Sequence, residues 1–270
     1  MGNNTQSVKR GMAAARAGLR HHGSRDAFPR AARALLRAAV SLPLASSEVE
    51  RSEHPTTGIS IGGTMATNEN RDRQAIRELI DNWALWRDAG DWTRFTTVWH
   101  PTRGWMSATW FQGSAAEFIE VSRQGFESGV SILHFLGGHT TEVRGDRAIA
   151  QTKMTINQRA VVDEVEVDVI CTGRFYDFLC THDDDWKIVR RQPIYEKDRL
   201  DVVDPSSTLR LEPELLARFP AGYRHLGYLQ AKAGFSVKPG LPGLTGDAVQ
   251  QLYEEGERWL AGSDEAGIPA

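Results

Sequence analysis

Residues 131–148, SILHFLGGHTTEVRGDRA, decide how this chain is read. Ile132, Leu133, Phe135 and Leu136 surround His134, and Thr140, Thr141 and Val143 follow, a composition that belongs to a β-strand. Gly145-Asp146 is a turn signal, so the Arg-Gly-Asp tripeptide here is first a hairpin tip, with a second strand beginning near Arg147. His139 lies five residues beyond His134, and unbroken pleating would put the two rings on opposite faces. Gly137-Gly138 interrupts the pleat, and a bulge there would bend the strand and reverse that relation. The expectation is bending, with His139 structural.

Further strands follow downstream. Together the run gives four strands at 131–143, 147–160, 164–179 and 186–196, separated by Gly145-Asp146, Val162-Asp163 and THDDD. EVEVDVICTG alternates charged with apolar residues, so one face meets a core and the other meets water. Upstream, Ile76, Leu79, Ile80, Trp83 and Trp86 recur at helical spacing in RDRQAIRELIDNWALWRDAGDW. Ala89-Gly90 ends that helix, and Asp91 caps a short second one, WTRFTTVWH, which stops at Pro101. GWMSATWF reads as a strand before a further helix near SAAEFIEVSRQGF. Helices followed by a meander of long antiparallel strands indicate an α+β fold, one curved sheet wrapped by N-terminal helices into an open-mouthed cone.

The flanks differ from this core, read as residues 71–199. Residues 1–70 form a basic extension, disordered or dispensable. Up to Ser47 it carries Lys9, Arg10, Arg16, Arg20, Arg25, Arg30, Arg33 and Arg37 against one acid, Asp26. RAARALLRAAVSLPLASS within it has the composition of an organelle transit peptide. Met65 is start-like, so the working chain could equally begin there. Residues 200–270 are loop-rich and read as a tail packing on the core or on a second subunit. EPELLARFPAGYRHLGYLQ gives one or two short helices, and TGDAVQQLYEEGERWLAG a longer one, opened by Thr/Asp and stopped by Gly262.

Bulk properties narrow the class of protein. A net charge of −3 over 270 residues gives no reason to expect nucleic acid. No apolar run is long enough to span a bilayer. The two cysteines, Cys171 and Cys180, sit roughly 30 Å apart on one extended strand and read as buried thiols. The expected setting is therefore cytoplasmic. Histidines and cysteines show no zinc spacing, THDDDW lacks the spaced ligands of a calcium loop, and no phosphate-binding glycine motif is present. No metal or cofactor is expected.

The stretches AIRELIDNWALWRDAGDWTRFTTVWH, ILHFLGGHTTEVRGDRAIA and GRFYDFL…DDDWKIVRRQPIYEKD resemble the SnoaL-like group of the nuclear-transport-factor-like α+β cone superfamily, the cystatin-like cone. Scytalone dehydratase, lindane dehydrochlorinase, steroid isomerases and polyketide cyclases belong to that superfamily, beside non-catalytic members. The dehydratase and dehydrochlorinase pattern places an aspartate at the end of the first long helix, a histidine opening the meander and an arginine on its last strand. By that resemblance the catalytic residues are Asp88, His134 and Arg191. The tyrosine that stands beside the aspartate in scytalone dehydratase is Arg87 here, and AIAQTKMTINQRA carries no second histidine.

Physical chemistry weighs the same three residues. Asp88 continues the row Ile80–Ala84–Asp88 at the edge of the apolar stripe, and an acid at a helix C-terminus opposes the dipole. Imidazole carries protons near neutral pH, and a carboxylate on one ring nitrogen orients it as a base. The alternative for His134 is a core histidine bonded to a carbonyl. Strand alternation separates Arg190 from Arg191 and groups Arg191 with Lys187 and Val189. The resemblance assigns Arg191 to the cavity, where a guanidinium would steady a developing anion, and leaves Arg190 solvated or on the other sheet face. Trp83, Trp86, Trp99, Trp105 and Trp110 would wall the cone, and Trp83, Trp105, Trp110, Phe135, Asn157 and Tyr195 are the substrate-binding candidates.

The leading expectation is a cofactor-independent lyase of dehydratase type, or an isomerase, acting on an apolar cyclic or aromatic molecule. The alternative is a non-catalytic binding or assembly module like the small subunit of ring-hydroxylating dioxygenases. The resemblance also implies a homo-oligomer, paired through the outer sheet face.

Overall fold

A computed structural model describes residues 61–263, 266 and 267, with side chains from residue 68 onward. The readings of residues 1–60 therefore lie outside the described residues. The first helix, α1 (Ile61–Ala89), starts ten residues before the expected core boundary at 71. Its apolar stripe buries Ile76, Ile80, Trp83 and Ala84. Gly90, with φ 73°, ends it, a conformation glycine adopts without steric cost. Helix α2 (Trp92–Thr97) is capped as expected, Asp91 accepting from the Arg94 amide.

Of GWMSATWF, expected as one strand, only Trp105–Ser107 is strand (β1), and it pairs antiparallel with a second short strand just beyond, β2 (Gln112–Ser114). Ala108 to Phe111 supply the turn between them, closed by the Ala108 amide donating to the Phe111 carbonyl at 2.7 Å. Helix α3 (Ala115–Glu127) opens on a capping box: Ser114 Oγ accepts from the Glu117 amide, and Glu117 reaches back to the Ser114 amide.

Strands β3 (Ser131–Arg144), β4 (Arg147–Val162), β5 (Val165–His182) and β6 (Asp185–Val202) form the expected antiparallel meander. The curved, unclosed sheet runs β2-β1-β6-β5-β4-β3, with β1 parallel to β6. Two-residue turns join β4 to β5 and β5 to β6. Both central residues have positive φ in each, at Asp163-Glu164 and Asp183-Asp184, and aspartate tolerates that conformation better than most side chains. The acidic THDDD run is therefore a hairpin tip. Strand β6 continues six residues past the expected end at 196, because Lys197 to Val202 alternate exposed and half-buried while pairing with β5.

Register shifts set which side chains enter the cone, and two of the three bear on the site. On β3 the register slips between Leu136 and His139, so Gly137-Gly138 is the bulge. Ile132, His134 and Leu136 face inward before it, and His139, Thr141 and Val143 face inward after it. His139 stays structural, its two ring nitrogens held by Thr152 and Thr141 at 2.8 and 2.6 Å. On β6, Phe178 pairs with Arg190 and Leu179 with Ile188, leaving Val189 as an extra residue. Simple alternation grouped Arg191 with Val189 and Lys187. The bulge breaks that grouping and turns Arg191, Pro193 and Tyr195 inward beside Trp186 and Ile188.

The C-terminal tail packs on the same chain. Helix α4 (Pro213–Leu216) and a short 3-10 turn (Ala221–Tyr223) lead into α5 (Arg224–Lys232), which drives Leu226, Tyr228 and Leu229 into the cone's core. Helix α6 (Asp247–Leu260) covers part of the outer sheet face, packing Val249, Leu252 and Trp259 on Tyr176, Phe178 and Ile194. Its N-cap is Gly246, without a side-chain cap from Thr245 or Asp247. Arg190, expected to be solvated or on the other sheet face, lies on that outer face but is buried beneath this helix between Glu255 (2.6 Å) and the Ala266 carbonyl (2.8 Å), with its guanidinium over Phe178. Cys171 and Cys180 are free and buried.

Candidate active site

Trp83 is the centre of the cone. It stacks on Phe118 and meets Phe95, Trp99, Phe175 and His134 edge-on, the His134 ring centroid lying 5.1 Å away. One turn beyond it, α1 delivers two charged residues. Arg87 continues the buried stripe at i+4 from Trp83 and is only 7% exposed. Asp88 sits beside it at the stripe's edge, facing the start of β3.

The two ends meet tightly. Asp88 Oδ1 lies 2.8 Å from His134 Nδ1, and Oδ2 accepts the His134 backbone N–H at 2.5 Å. Arg87 Nη1 donates to Asp88 Oδ1 and to the Ile132 carbonyl, both at 3.2 Å. Helix end and strand start are thus laced by one carboxylate and one guanidinium. Burial alone would raise the Asp88 pKa, but the hydrogen bond and charge of His134 and the Arg87 charge outweigh it and hold the carboxyl below its ordinary value. Burial also dominates at His134 and lowers its pKa. The Asp88 hydrogen bond opposes this, while Arg87 and Arg191 add to it. At neutral pH the pair is a carboxylate and a neutral imidazole. With Nδ1 tied to Asp88, Nε2 is the nitrogen left for a ligand.

His134 lines an aromatic hollow enclosing about 450 Å³, part of it open to solvent. Trp83, Trp110, Phe118, Phe175 and Tyr195 form its walls, with Arg87, Gln158 and Gln230 as polar groups. Leu226 and Gln230 come from α5, so the tail completes the lining. A second hollow of about 390 Å³ shares Arg87, Trp110, Ile132, Gln158 and Gln230 and runs on past Ser122 and Phe235.

Of the substrate-binding candidates, Trp83, Trp110 and Tyr195 line this space. Three do not. Phe135 follows His134 on β3, so alternation sends it outward, 77% exposed beside Leu133 at 59%. Asn157 is likewise on the outward phase of β4, whose inward residues are Ile156 and Gln158. Trp105 alternates with Met106, and it is Met106 that lines the hollow.

Arg191 also needs correction. It faces inward but is fully buried below the lining, paired in two parallel bonds with Asp177 at 2.7 and 2.8 Å. Its guanidinium is wedged between Trp83 and Phe175, 4.2 and 4.0 Å from their ring centroids. A cation needs that partner in an apolar interior, and the pairing spends it there. Asp177 was the missing signal: a lone acid within the apolar run FYDFLC. The overlooked pocket residue is Arg87, whose place on the Trp83 row was readable from helical spacing. Gln158 needed the register of β4, and Gln230 a tertiary contact of the tail.

Residues 68–192 match the family model of the SnoaL-like domain. An uncharacterized protein of Emericella nidulans is 33% identical over 211 residues, covering 72% of this chain and 87% of the relative. Pea pathogenicity protein 2 of Fusarium vanettenii is 31% identical over 203 residues, covering 71% and 86%. Among solved structures, an NTF2-like protein with a cystatin-like fold from Novosphingobium aromaticivorans is 23% identical, with a TM-score of 0.39 over 56% of this chain and 95% of its own. A hexachlorocyclohexane dehydrochlorinase, LinA type 2, is 10% identical, with a TM-score of 0.42 over 54% and 97%. The chain belongs to the SnoaL-like family. No helix among the described residues is long and apolar enough to cross a membrane.

Proposed function

We propose that this cone is a cofactor-independent lyase of dehydratase type, or an isomerase, acting on an apolar cyclic or aromatic small molecule. The observation that carries the reading is the 2.8 Å contact between Asp88 Oδ1 and His134 Nδ1 at the wall of an aromatic hollow. Nε2 of neutral His134 takes a proton from a carbon next to an electron-withdrawing group. Asp88 holds the ring in the one tautomer that leaves Nε2 basic, and its charge stabilises the imidazolium that forms. In a dehydration, the electron pair of the broken C–H bond forms the new C=C bond, and the C–O pair leaves with the hydroxyl. That oxygen takes the proton back from Nε2, so water departs and the imidazole returns neutral. In an isomerisation the same proton returns to a different carbon. Arg191 touches no reacting atom in this scheme. Through its charge and its wedge between Trp83 and Phe175 it positions the ring wall and helps keep His134 neutral.

The test uses 3-hydroxy-1-tetralone, whose loss of water yields fluorescent 1-naphthol, and 1-tetralone in D2O, whose C2 protons exchange if a base attacks them. The expected result is catalysis of at least one process by wild type, lowered about 10²–10⁴-fold in His134→Ala. Equal rates in wild type and His134→Ala would overturn the reading.

A further inference from the structure

Arg87 and Gln158 share an unusual condition. Each is more than nine-tenths buried, at 7% and 8% exposure, and each lines both hollows. Each also carries a polar atom with no protein partner: Arg87 Nε, a donor, and Gln158 Oε1, an acceptor. A buried donor or acceptor left unmatched is costly and calls for an explanation. Among the described residues, only these two unmatched atoms belong to side chains that line both hollows; Arg191 Nη1 is also unmatched, but Arg191 lines neither. Arg87 is not free to swing away from this task. Its Nη1 donates to Asp88 and the Ile132 carbonyl, which holds the guanidinium beside both cavities. Structural ion pairing explains Nη1 but leaves Nε unexplained. Gln158 sits on β4 two residues from Ile156, whose side chain is in the same wall, so its amide points inward by the same alternation.

We propose that Arg87 and Gln158 form the oxygen-reading end of the pocket, which selects a ring compound bearing one acceptor oxygen for Arg87 Nε–H and one hydroxyl donor for Gln158 Oε1. This rests on the pocket reading above and deepens it. Arg87, and not Arg191, then supplies the positive charge to an oxygen that gains electron density when His134 takes the carbon proton. The aromatic walls give affinity for the ring, and the two unmatched polar atoms discriminate between rings.

Binding without turnover tests this separately from catalysis. Calorimetry compares ethylbenzene, acetophenone and 3-hydroxyacetophenone, which present no oxygen, an acceptor, and an acceptor with a hydroxyl donor. Wild type is expected to bind acetophenone about tenfold or more tighter than ethylbenzene, and 3-hydroxyacetophenone tighter again. Arg87→Met should abolish the first step and Gln158→Leu the second, each leaving ethylbenzene affinity unchanged. If Arg87→Met does not fold, the Arg87 Nε–H resonance of wild type decides: it should shift on adding acetophenone and stay unmoved with ethylbenzene, and an equal response to both would overturn the assignment. A wild type indifferent to the three probes, or Arg87 variants that keep the acetophenone preference, would overturn the assignment. Because no turnover is read, either result leaves the His134 test intact.

Discussion

Among the described residues, the His134–Asp88 and His225–Asp198 pairs are built alike and placed differently. At the pocket, Asp88 takes the His134 ring Nδ1 on Oδ1 and a backbone N–H on Oδ2. In the tail, Asp198 takes the His225 ring Nδ1 on Oδ1 at 2.9 Å and the Leu226 N–H on Oδ2 at 2.8 Å. The bonding is the same, yet the surroundings part them. His225 and Leu226 open α5, so Asp198 ties the tail to β6 and caps a helix. His134 instead lines an aromatic hollow, with two arginine charges nearby. A dyad is therefore not a site by itself. Under the proposed function, the aromatic hollow that His134 lines and the charges around its ring set this pair apart.

The strongest way to break this comparison is to remove each imidazole in turn. Turnover should fall about 10²–10⁴-fold in His134→Ala and stay near wild type in His225→Ala, measured as initial rates on a shared substrate. Equal losses would make the two pairs equivalent and end the distinction.

The next effect is on stability and concerns the arginine beneath the pocket. Asp177→Ala leaves Arg191 unpaired in the core and should cost about 3–5 kcal/mol in denaturant unfolding. Asp198→Ala, which loses a cap and one ring contact, should cost about 1–2 kcal/mol while turnover persists. A smaller loss for Asp177→Ala than for Asp198→Ala would contradict the burial of the Arg191 pair.

The pH dependence sharpens the comparison further. Because the folded pKa of His134 lies below 6.5, the neutral base persists to lower pH than in a free imidazole. The acid limb of turnover should therefore fall below 6.5. The sign for stability is the same: the unfolded chain binds the proton first, so stability is present above 6.5 and is lost as pH drops through the lowered pKa. Asp88 contributes in the same direction, its depressed carboxyl losing stability only at still more acid pH. In Asp88→Asn the carboxylate's upward pull on His134 disappears, so the limb of the residual activity should move lower still. A limb above 6.5 in wild type would contradict the assignment. The smallest effect is expected outside the cone, where Phe135→Ser should change stability by no more than about 0.5 kcal/mol and leave turnover unchanged.

Much of the fold was legible because its period is written plainly. The stripe from Ile76 to Trp86 and the alternation in EVEVDVICTG fix helix and strand. The pairing of Asp88 with His134 came instead from the family resemblance, which places an aspartate at a helix end and a histidine opening the meander. The misreadings have local causes. Val189 is an extra residue that reverses the phase of β6, so alternation alone grouped Arg191 wrongly, although its inward direction held. Phe135 was excluded by alternation as soon as His134 was placed inward, a rule available from the sequence. Gln158 in place of Asn157 depended on the phase of β4 relative to the cone. The contribution of Leu226 and Gln230 was not legible, because it depends on how a proline-rich tail folds back.

The central claim is a protonation state: His134 neutral, its proton on Nδ1 toward Asp88, and its Nε2 lone pair facing the hollow. Long-range ¹H–¹⁵N correlation spectra of the imidazoles at pH 7, assigned through His134→Gln, test it most directly. The account predicts the Nδ1–H tautomer for His134, with an unprotonated Nε2 shift. An imidazolium, or the proton on Nε2, would contradict it.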